Sequence, residues 1–411
     1  MPRLERRSWP ANPDVPGRRT DRRAFVYHAF VPDPISRLEV SLPGPVAQAI
    51  SLAERQVDEL NRSPPSLASL EVLARRLLRA ESVASSRIEG LELSHRRLAR
   101  AEAGGEIARD ETALSVLGNV AAMERSVELG AAARPLGVAD LLEIHRVLMA
   151  ATHPSIAGRF RVVQNWLGGS SINPARAEFV PPPPEHVLGL VEDLVAFVRR
   201  DDLPPVAQAA IAHAQFETIH PFADGNGRVG RALVHVVLRR RGLAPSYVPP
   251  VSLLLAADAR AYVAGLTAYR NAGLGEWLVL FAKAVELSAR KAKELASRLA
   301  VIQDDWRRRA GRPRRDSAAE ALIRELPARP IVTLATAAEM TGRSKQAANQ
   351  ALAVLERAGV LRELTLGKRN RAWEARELFD LIDDFERELA TPEREGPGRS
   401  APRPRRSTSP R

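Results

Sequence analysis

The stretch IHPFADGNGRVGR, residues Ile219 to Arg231, decides how the rest of the chain is read. It crowds a His, an acid, three Gly, an Asn and two Arg between two apolar helical runs, PPVAQAAIAHAQFETIH before it and GRALVHVVLRRRG after it. Two readings compete. One is a well-capped turn leading into an exposed, basic helix start. The other is a phosphate-handling active site.

The second reading has a physical basis at each position. The strip joins the end of one helix to the start of the next, so the amides of Gly225, Asn226 and Gly227 point outward at a helix N-terminus. Glycine permits left-handed backbone angles and close approach of an anion. Free N–H groups and the helix dipole bind phosphate. Arg228 and Arg231 are three apart on the first turn and face one space, where each can grip phosphate oxygens in bidentate fashion. Asp224 is a hard oxygen ligand of the kind that, with phosphate oxygens and water, holds Mg²⁺. His220 titrates near neutrality and can take a proton from an attacking hydroxyl. Pro221 stiffens its placement, and Phe222 anchors the turn in the core. Together these residues describe in-line attack of a hydroxyl on a nucleotide phosphate, a reaction that rests on positioning and electrostatics.

Working outward, the 411-residue chain is 45% hydrophobic, enough for two or three domains with real cores. Its net charge is +12, and almost all of its basicity is Arg. Anionic partners are expected, but charge does not choose among nucleotide, nucleic acid and acidic protein. The absence of Cys excludes disulfides and thiolate metal sites. The eight His show no zinc spacing. No apolar run approaches a membrane span, and the N-terminus lacks a secretory apolar region. The expectation is a soluble cytoplasmic protein with no membrane partner.

Helical periodicity dominates. SLASLEVLARRLLRAESVASSRIEG puts Leu70, Leu73, Leu77 and Leu78 on one stripe, with Gly90 as a stop. In LGVADLLEIHRVLMAAT, Leu141, Ile144 and Leu148 share a face. The texture changes at GRFRVVQNWLGGSSINPARAEFVPPPP, where Val162, Val163 and Trp166 with a Gly-Gly turn predict a short hairpin. A long helical region with Trp277 and Phe281 inward runs to about Arg308. The C-terminal part reads as helix, helix-turn-helix and a two-strand wing. Gly342 marks its turn and Ser344 caps the second helix; Leu352 and Leu355 face inward.

HPFADGNGRVGR resembles the signature of the Fic (filamentation induced by cAMP) family: His-Pro-Phe, any residue, acid, Gly-Asn-Gly-Arg, two residues, Arg. Every fixed position matches, and the resemblance covers about residues 25 to 310. It implies transfer of AMP from ATP to a Ser, Thr or Tyr hydroxyl of a target protein, with Mg²⁺. It also implies an all-α fold, a mainly helical core with a small β-hairpin flap. His220 becomes the general base and Asp224 the metal ligand. Gly225, Asn226 and Gly227 form the anion hole, and Arg228 and Arg231 hold the phosphates.

In that context SSRIEG, Ser85 to Gly90, gains meaning. Ser85 and Glu89 share a helix face, and with Gly90 they match the family's inhibitory motif. The resemblance implies that Glu89 pairs with Arg231 and blocks a productive ATP pose. The nucleotide set is Glu89, flap residues Leu167, Gly168, Gly169 and Ser170, the run Gly225, Asn226, Gly227, Arg228, Val229, Gly230 and Arg231, and Tyr262. At Tyr262 the chain departs from the family's adjacent Tyr pair, because Val263 follows. An exposed flap edge can register a target segment by β-augmentation.

The C-terminal module resembles winged helix-turn-helix domains. Lys345, Gln346, Asn349 and Gln350 on the second helix, with Lys368, Arg369 and Arg371 on the wing, are candidate DNA contacts. A protein-docking or dimerising role, including a homodimer, is the alternative. The domain plan is a disordered tail over 1–23, an N-terminal helical region with the inhibitory helix over 24–110, and a Fic core over 111–308. A linker over 309–315, the winged module over 316–390 and a disordered basic tail over 391–411 complete it. Three other functions stand against AMP transfer. They are a nucleotide-sensing DNA-binding regulator, a Fic enzyme with another donor (UMP, phosphate or phosphocholine), and removal of AMP by the same site.

Overall fold

The computed structural model describes residues 2–14, 19–62, 70–104, 110–366 and 370–390. It opens with β1 (Arg3–Trp9), paired antiparallel to β2 (Phe25–Val31) from Arg3↔Val31 to Trp9↔Phe25. This corrects the expected disordered tail over 1–23 wherever that segment is described. Glu5, Arg7 and Trp9 alternate toward the protein while their neighbours face solvent. The inward positions carry ion pairs as well as a ring: Glu5 meets His186 at 2.9 Å, and Arg7 bonds Glu185. Trp9 packs edge-on against Trp166 at 5.4 Å. A strand held largely by charges gives no hydrophobic periodicity, so its period of two is hidden in the sequence.

The described residues are mostly helical. α1 (Gly44–Arg62), α2 (Leu70–Ile88), α3 (His95–Glu102), α4 (Glu111–Ala131) and α5 (Val138–Met149) precede the flap. α6 (Pro184–Val198), α7 (Pro205–Ile219) and α8 (Asn226–Arg240) follow it, then α9 (Val251–Ala257), α10 (Ala259–Arg270) and α11 (Leu274–Arg309). α7 is the central helix, with every residue from Val206 to Ile219 buried. Its Ala-rich sequence lets neighbours approach from all sides. α4 packs on α5 and α8. At Gly118 a Cβ would stand 2.5 Å from the Leu148 carbonyl oxygen, so only Gly permits that approach. The 36-residue α11 is about 54 Å long at 1.5 Å per residue. It buries Trp277 and Phe281 in the core at one end and Trp306 among the C-terminal elements at the other.

Those elements are α12 (Ala318–Glu325), β3 (Ile331–Thr333), α13 (Leu334–Thr341), α14 (Lys345–Arg357), β4 (Arg362–Leu366), β5 (Asn370–Glu374) and α15 (Arg376–Ala390). The strands form an antiparallel sheet in the order β3-β5-β4. Gly342 turns the chain at φ 61°, and the Ser344 hydroxyl caps α14 by accepting from the Ala347 amide at 3.2 Å. The tail over 391–411 lies outside the described residues. No single described helix is long and apolar enough to cross a membrane.

Candidate active site

His220 sits at the C-cap of α7 with φ 50° and ψ 60°, a left-handed conformation for a residue with a Cβ. Such strain persists only where surroundings over-determine it. Here three side chains do so. Arg161 Nε donates to the His220 carbonyl at 2.8 Å, and the same buried guanidinium binds the carbonyls of Val163, Pro182 and Ile219. Asn165 Nδ2 donates to the Phe222 carbonyl at 3.1 Å. Asn226 closes the turn: its Oδ1 accepts from the Phe222 amide and its Nδ2 donates to the Phe222 carbonyl, both at 2.8 Å.

The loop is also pinned from α5. The His145 ring stacks on Phe222 with centroids 3.8 Å apart. Its Nδ1 accepts from the Gly158 amide at 3.0 Å, so Nε2 carries the proton and donates to the Asp224 carbonyl at 3.1 Å. Burial pushes His145 down to about 4, which keeps that tautomer neutral. Burial likewise holds the His220 imidazole down at about 4, so it is an unprotonated base at neutral pH.

The start of α8 presents the anion cradle. Gly225 takes φ 78°, and its amide is satisfied by Asp224 Oδ1 at 2.7 Å. Over Gly227 the space is filled by the Glu89 carboxylate, which any Cβ at that position would strike. Glu89 Oε1 accepts from Arg231 Nη2 at 2.7 Å. Arg231 also donates from Nε to the Ser85 hydroxyl at 2.9 Å and from Nη2 to the Ser85 carbonyl at 2.8 Å. Burial alone would lower the Arg231 pKa; the Glu89 charge overrides it and holds the guanidinium firmly protonated. Arg228 Nη1 donates to the Ser115 hydroxyl at 2.7 Å, and its Nη2 lies 3.5 Å from Asp224 Oδ2. Asp224 itself is more than half exposed. Beside these groups lies a cavity of about 240 Å³ lined by Glu89, Glu111, Ser115, Thr152, Asp224 and Arg228 among others.

The expected strip is therefore one site, with corrections inside it. Asn226 spends its side chain on the turn and offers an anion only its backbone. The Gly225 amide is already bonded. Val229 points into the core, and Gly230 is covered by Glu217 and His213. Tyr262 is buried, and its hydroxyl meets His213 Nε2 at 2.8 Å. It presents no free face to a nucleotide.

The flap hairpin over Val162–Ser171 is also corrected. Leu167 bridges Phe179 instead, with backbone bonds of 2.8 and 3.3 Å, and Gly168 and Gly169 fold the loop onto Glu178 and Arg176. Leu167, Gly168, Gly169 and Ser170 do not line the cavity beside α8. Val162 and Val163 stand 86 and 65% exposed next to Arg161, an apolar edge beside the base.

Arg161, Asn165, Ser115 and His145 escaped the sequence reading. His145 alone had a signal, since it lies beside Ile144 on the apolar stripe of α5. Lys345, Gln346, Asn349 and Gln350 are exposed along α14, and Arg371 pairs with Glu363. Lys368 and Arg369 lie outside the described residues.

Comparison with known proteins agrees with this geometry. The Fic/DOC family matches residues 135–238, and the N-terminal part of the Fic/DOC family matches residues 47–128. The chain is similar to protein adenylyltransferase fic-1 of Caenorhabditis elegans, 33% identical over 117 residues. That match covers 28% of this chain and 21% of the relative. Protein adenylyltransferase Fic of Nematostella vectensis is 35% identical over 109 residues, which is 26% of this chain and 23% of that one. The chain thus spans about a fifth of the length of these curated relatives. A crystal structure of a Fic family protein from Desulfovibrio desulfuricans G20 shares the fold, with TM-score 0.52 and 19% identity over 84% of this chain and 98% of that one. Both family matches meet on the helices that build the site, so residues 47–128 and 135–238 are the part of the chain that matches the Fic/DOC family.

Proposed function

We propose that the protein is an adenylyltransferase that moves AMP from ATP to a Ser, Thr or Tyr hydroxyl of a target protein, and that Glu89 inhibits it from within. The observation that carries this reading is the Glu89 carboxylate lying over Gly227 and bonded to Arg231. An anion cradle at a helix N-terminus, beside an unprotonated buried His, is held by the chain's own carboxylate.

The residues fit the chemistry. The target hydroxyl oxygen attacks the α-phosphorus of ATP, and its proton passes to His220 Nε2. The new oxygen–phosphorus bond forms as the bond to the pyrophosphate oxygen breaks, and the electron pair leaves with pyrophosphate. Arg228 and the α8 amides hold the phosphates, and Arg231 joins them once Glu89 withdraws. Asp224, exposed and facing the cavity, suits Mg²⁺, which when bound neutralises phosphate charge. The exposed Val162–Val163 edge suits a protein target better than a small molecule.

The order of α12, β3, α13, α14 and the β4–β5 hairpin supports a winged helix-turn-helix reading of the C-terminal module, with α14 as the DNA-facing helix. The test uses α-labelled ATP and Mg²⁺ with the wild-type, Glu89→Gly and His220→Ala chains, each with cell lysate. Label that rises about tenfold or more in Glu89→Gly and vanishes in His220→Ala is the expected result; ~1.4 kcal/mol of released inhibition already gives tenfold. ATP binding without label in any variant would overturn it and favour a nucleotide-sensing DNA regulator, read next by gel shift.

A further inference from the structure

Glu217 lies on the last turn of α7, three residues before His220. It is an acid on a helix that is buried on every side. Burying a carboxylate without a partner is costly. Yet Glu217 Oε1 has no hydrogen-bond partner, and Oε2 stands 4.0 Å from His220 Nδ1. His220 Nδ1 has no partner either. The unpaired Oε1 points to Gly230 while Oε2 turns toward the unpaired His220 Nδ1, and buried polar groups left unpaired call for an explanation. The space Glu217 occupies depends on Gly230, because any Cβ there would strike Oε1.

We propose that Glu217 is a positioning residue acting through His220. Its ionised carboxylate accepts the Nδ1 proton in a hydrogen bond, fixes the tautomer with a bare Nε2, and supplies the counter-charge for the imidazolium formed during transfer. This rests on the adenylyltransferase reading for the reaction but not for the geometry. A closing movement of about 1 Å turns the 4.0 Å gap into a hydrogen bond, and catalytic hydrogen bonds are often long before substrate arrives. The Nδ1 proton stays on the ring throughout; only the target's proton moves, to Nε2.

The charged groups around the pair are few. Arg231 from α8, Glu89 from the end of α2 and Arg270 from α10 face Glu217. Tyr262 from α10 is close as well. Arg161, Glu89 and Arg270 face the imidazole, and the Glu217 main-chain carbonyl lies near it without completing a hydrogen bond to Nδ1. Burial raises Glu217 to about 7, with Arg231 lowering it and Glu89 raising it. Near neutrality the carboxylate switches between the neutral acid, which gives the imidazolium no counter-charge, and the anion, which does.

The experiment uses the full Glu89→Gly chain, with and without Glu217→Gln. In the Glu89→Gly chain kcat should rise with pH through one ionisation. In Glu217→Gln that step should vanish and kcat should fall about 100-fold, with KM for ATP within about twofold. Glu217→Asp should restore the step. A pH profile and kcat unchanged by Glu217→Gln would overturn the proposal. Nitrogen-15 NMR of His220 in the Glu217-containing chain needs neither turnover nor a folded variant. The Nδ1 signal should shift as Glu217 ionises, and a signal blind to that step would equally overturn it. If no variant transfers label, the adenylyltransferase reading fails, and the NMR titration still decides the Glu217–His220 contact.

Discussion

Asn226 carries two tasks, one for its backbone amide and one for its side chain, and the sequence points only to the first. The sequence places an Asn between two Gly at a helix start, which fits an anion hole. In the structure its amide clasps Phe222 at both backbone atoms and so sets the curvature that aims His220. Asn226→Ala should leave the Phe222 amide unsatisfied in the core, while the carbonyl keeps its bond from Asn165, and cost about 1–3 kcal/mol. Thermal melting should show that loss. ATP binding through Arg228 should survive, because Arg228 is held separately by Ser115. A melting temperature equal to that of the unsubstituted chain would refute this role. The residues of the proposed phosphate cradle were legible because they cluster within one short stretch of sequence. Arg161 was not: its partners are backbone carbonyls up to 59 positions away, and no local pattern marks an Arg that binds only carbonyls.

At the scale of elements, α5 and α7 carry three His whose protonation the fold resists. Burial lowers His145 to about 4, His213 to about 3 and His220 to about 4, all from an ordinary 6.5. Between those values the unfolded chain binds protons that the native chain refuses. Their contribution to stability is therefore full above 6.5 and lost as pH falls toward 4. Glu217 acts in the opposite sense. Raised from 4.5 to about 7, it favours the fold below 4.5 and loses that contribution as pH rises through 7. Three groups against one leave a net loss on acidification. The melting temperature should fall between about pH 7 and pH 5, and His213→Gln should make the fall shallower. A melting temperature that rises over the same interval would contradict the burial argument. The helices themselves were legible from periodicity, as in α2 and α11. The flap was not, because its single bridge joins Leu167 to Phe179 across a loop rather than two alternating strands.

At the scale of the molecule, the C-terminal elements hold the helix that leads into Glu89, the residue proposed to inhibit. Glu386 of α15 accepts from Arg87 Nη2 at 2.8 Å, two residues before Glu89, and meets His95 Nε2 at 2.7 Å at the start of α3. Burial would raise the Glu386 pKa, but His95 and Arg87 bring it down to about 2, so it stays ionised. Arg79 of α2 donates to the Ala328 carbonyl at 2.6 Å, and Arg96 bonds Glu374 of β5. Arg76 of α2 is buried with Nε and Nη2 unbonded, and Glu386, Glu102 and Asp383 are its nearest opposing charges. On its other face α2 is tied to α8 by Glu81–His235 and Glu89–Arg231. A change at α15 thus reaches the Glu89–Arg231 contact through one helix. Glu386→Ala removes the counter-charge of Arg87 and weakens that of Arg76, which should loosen the seat of α2. About 1 kcal/mol of lost clamping corresponds to about fivefold, so AMP transfer should rise by that factor in a chain that retains Glu89. In the Glu89→Gly background the same substitution should change nothing, since no inhibitory contact remains to release. Label incorporation by the four chains measures both effects. An equal change in both backgrounds would mean that α15 acts on the fold as a whole and not through Glu89.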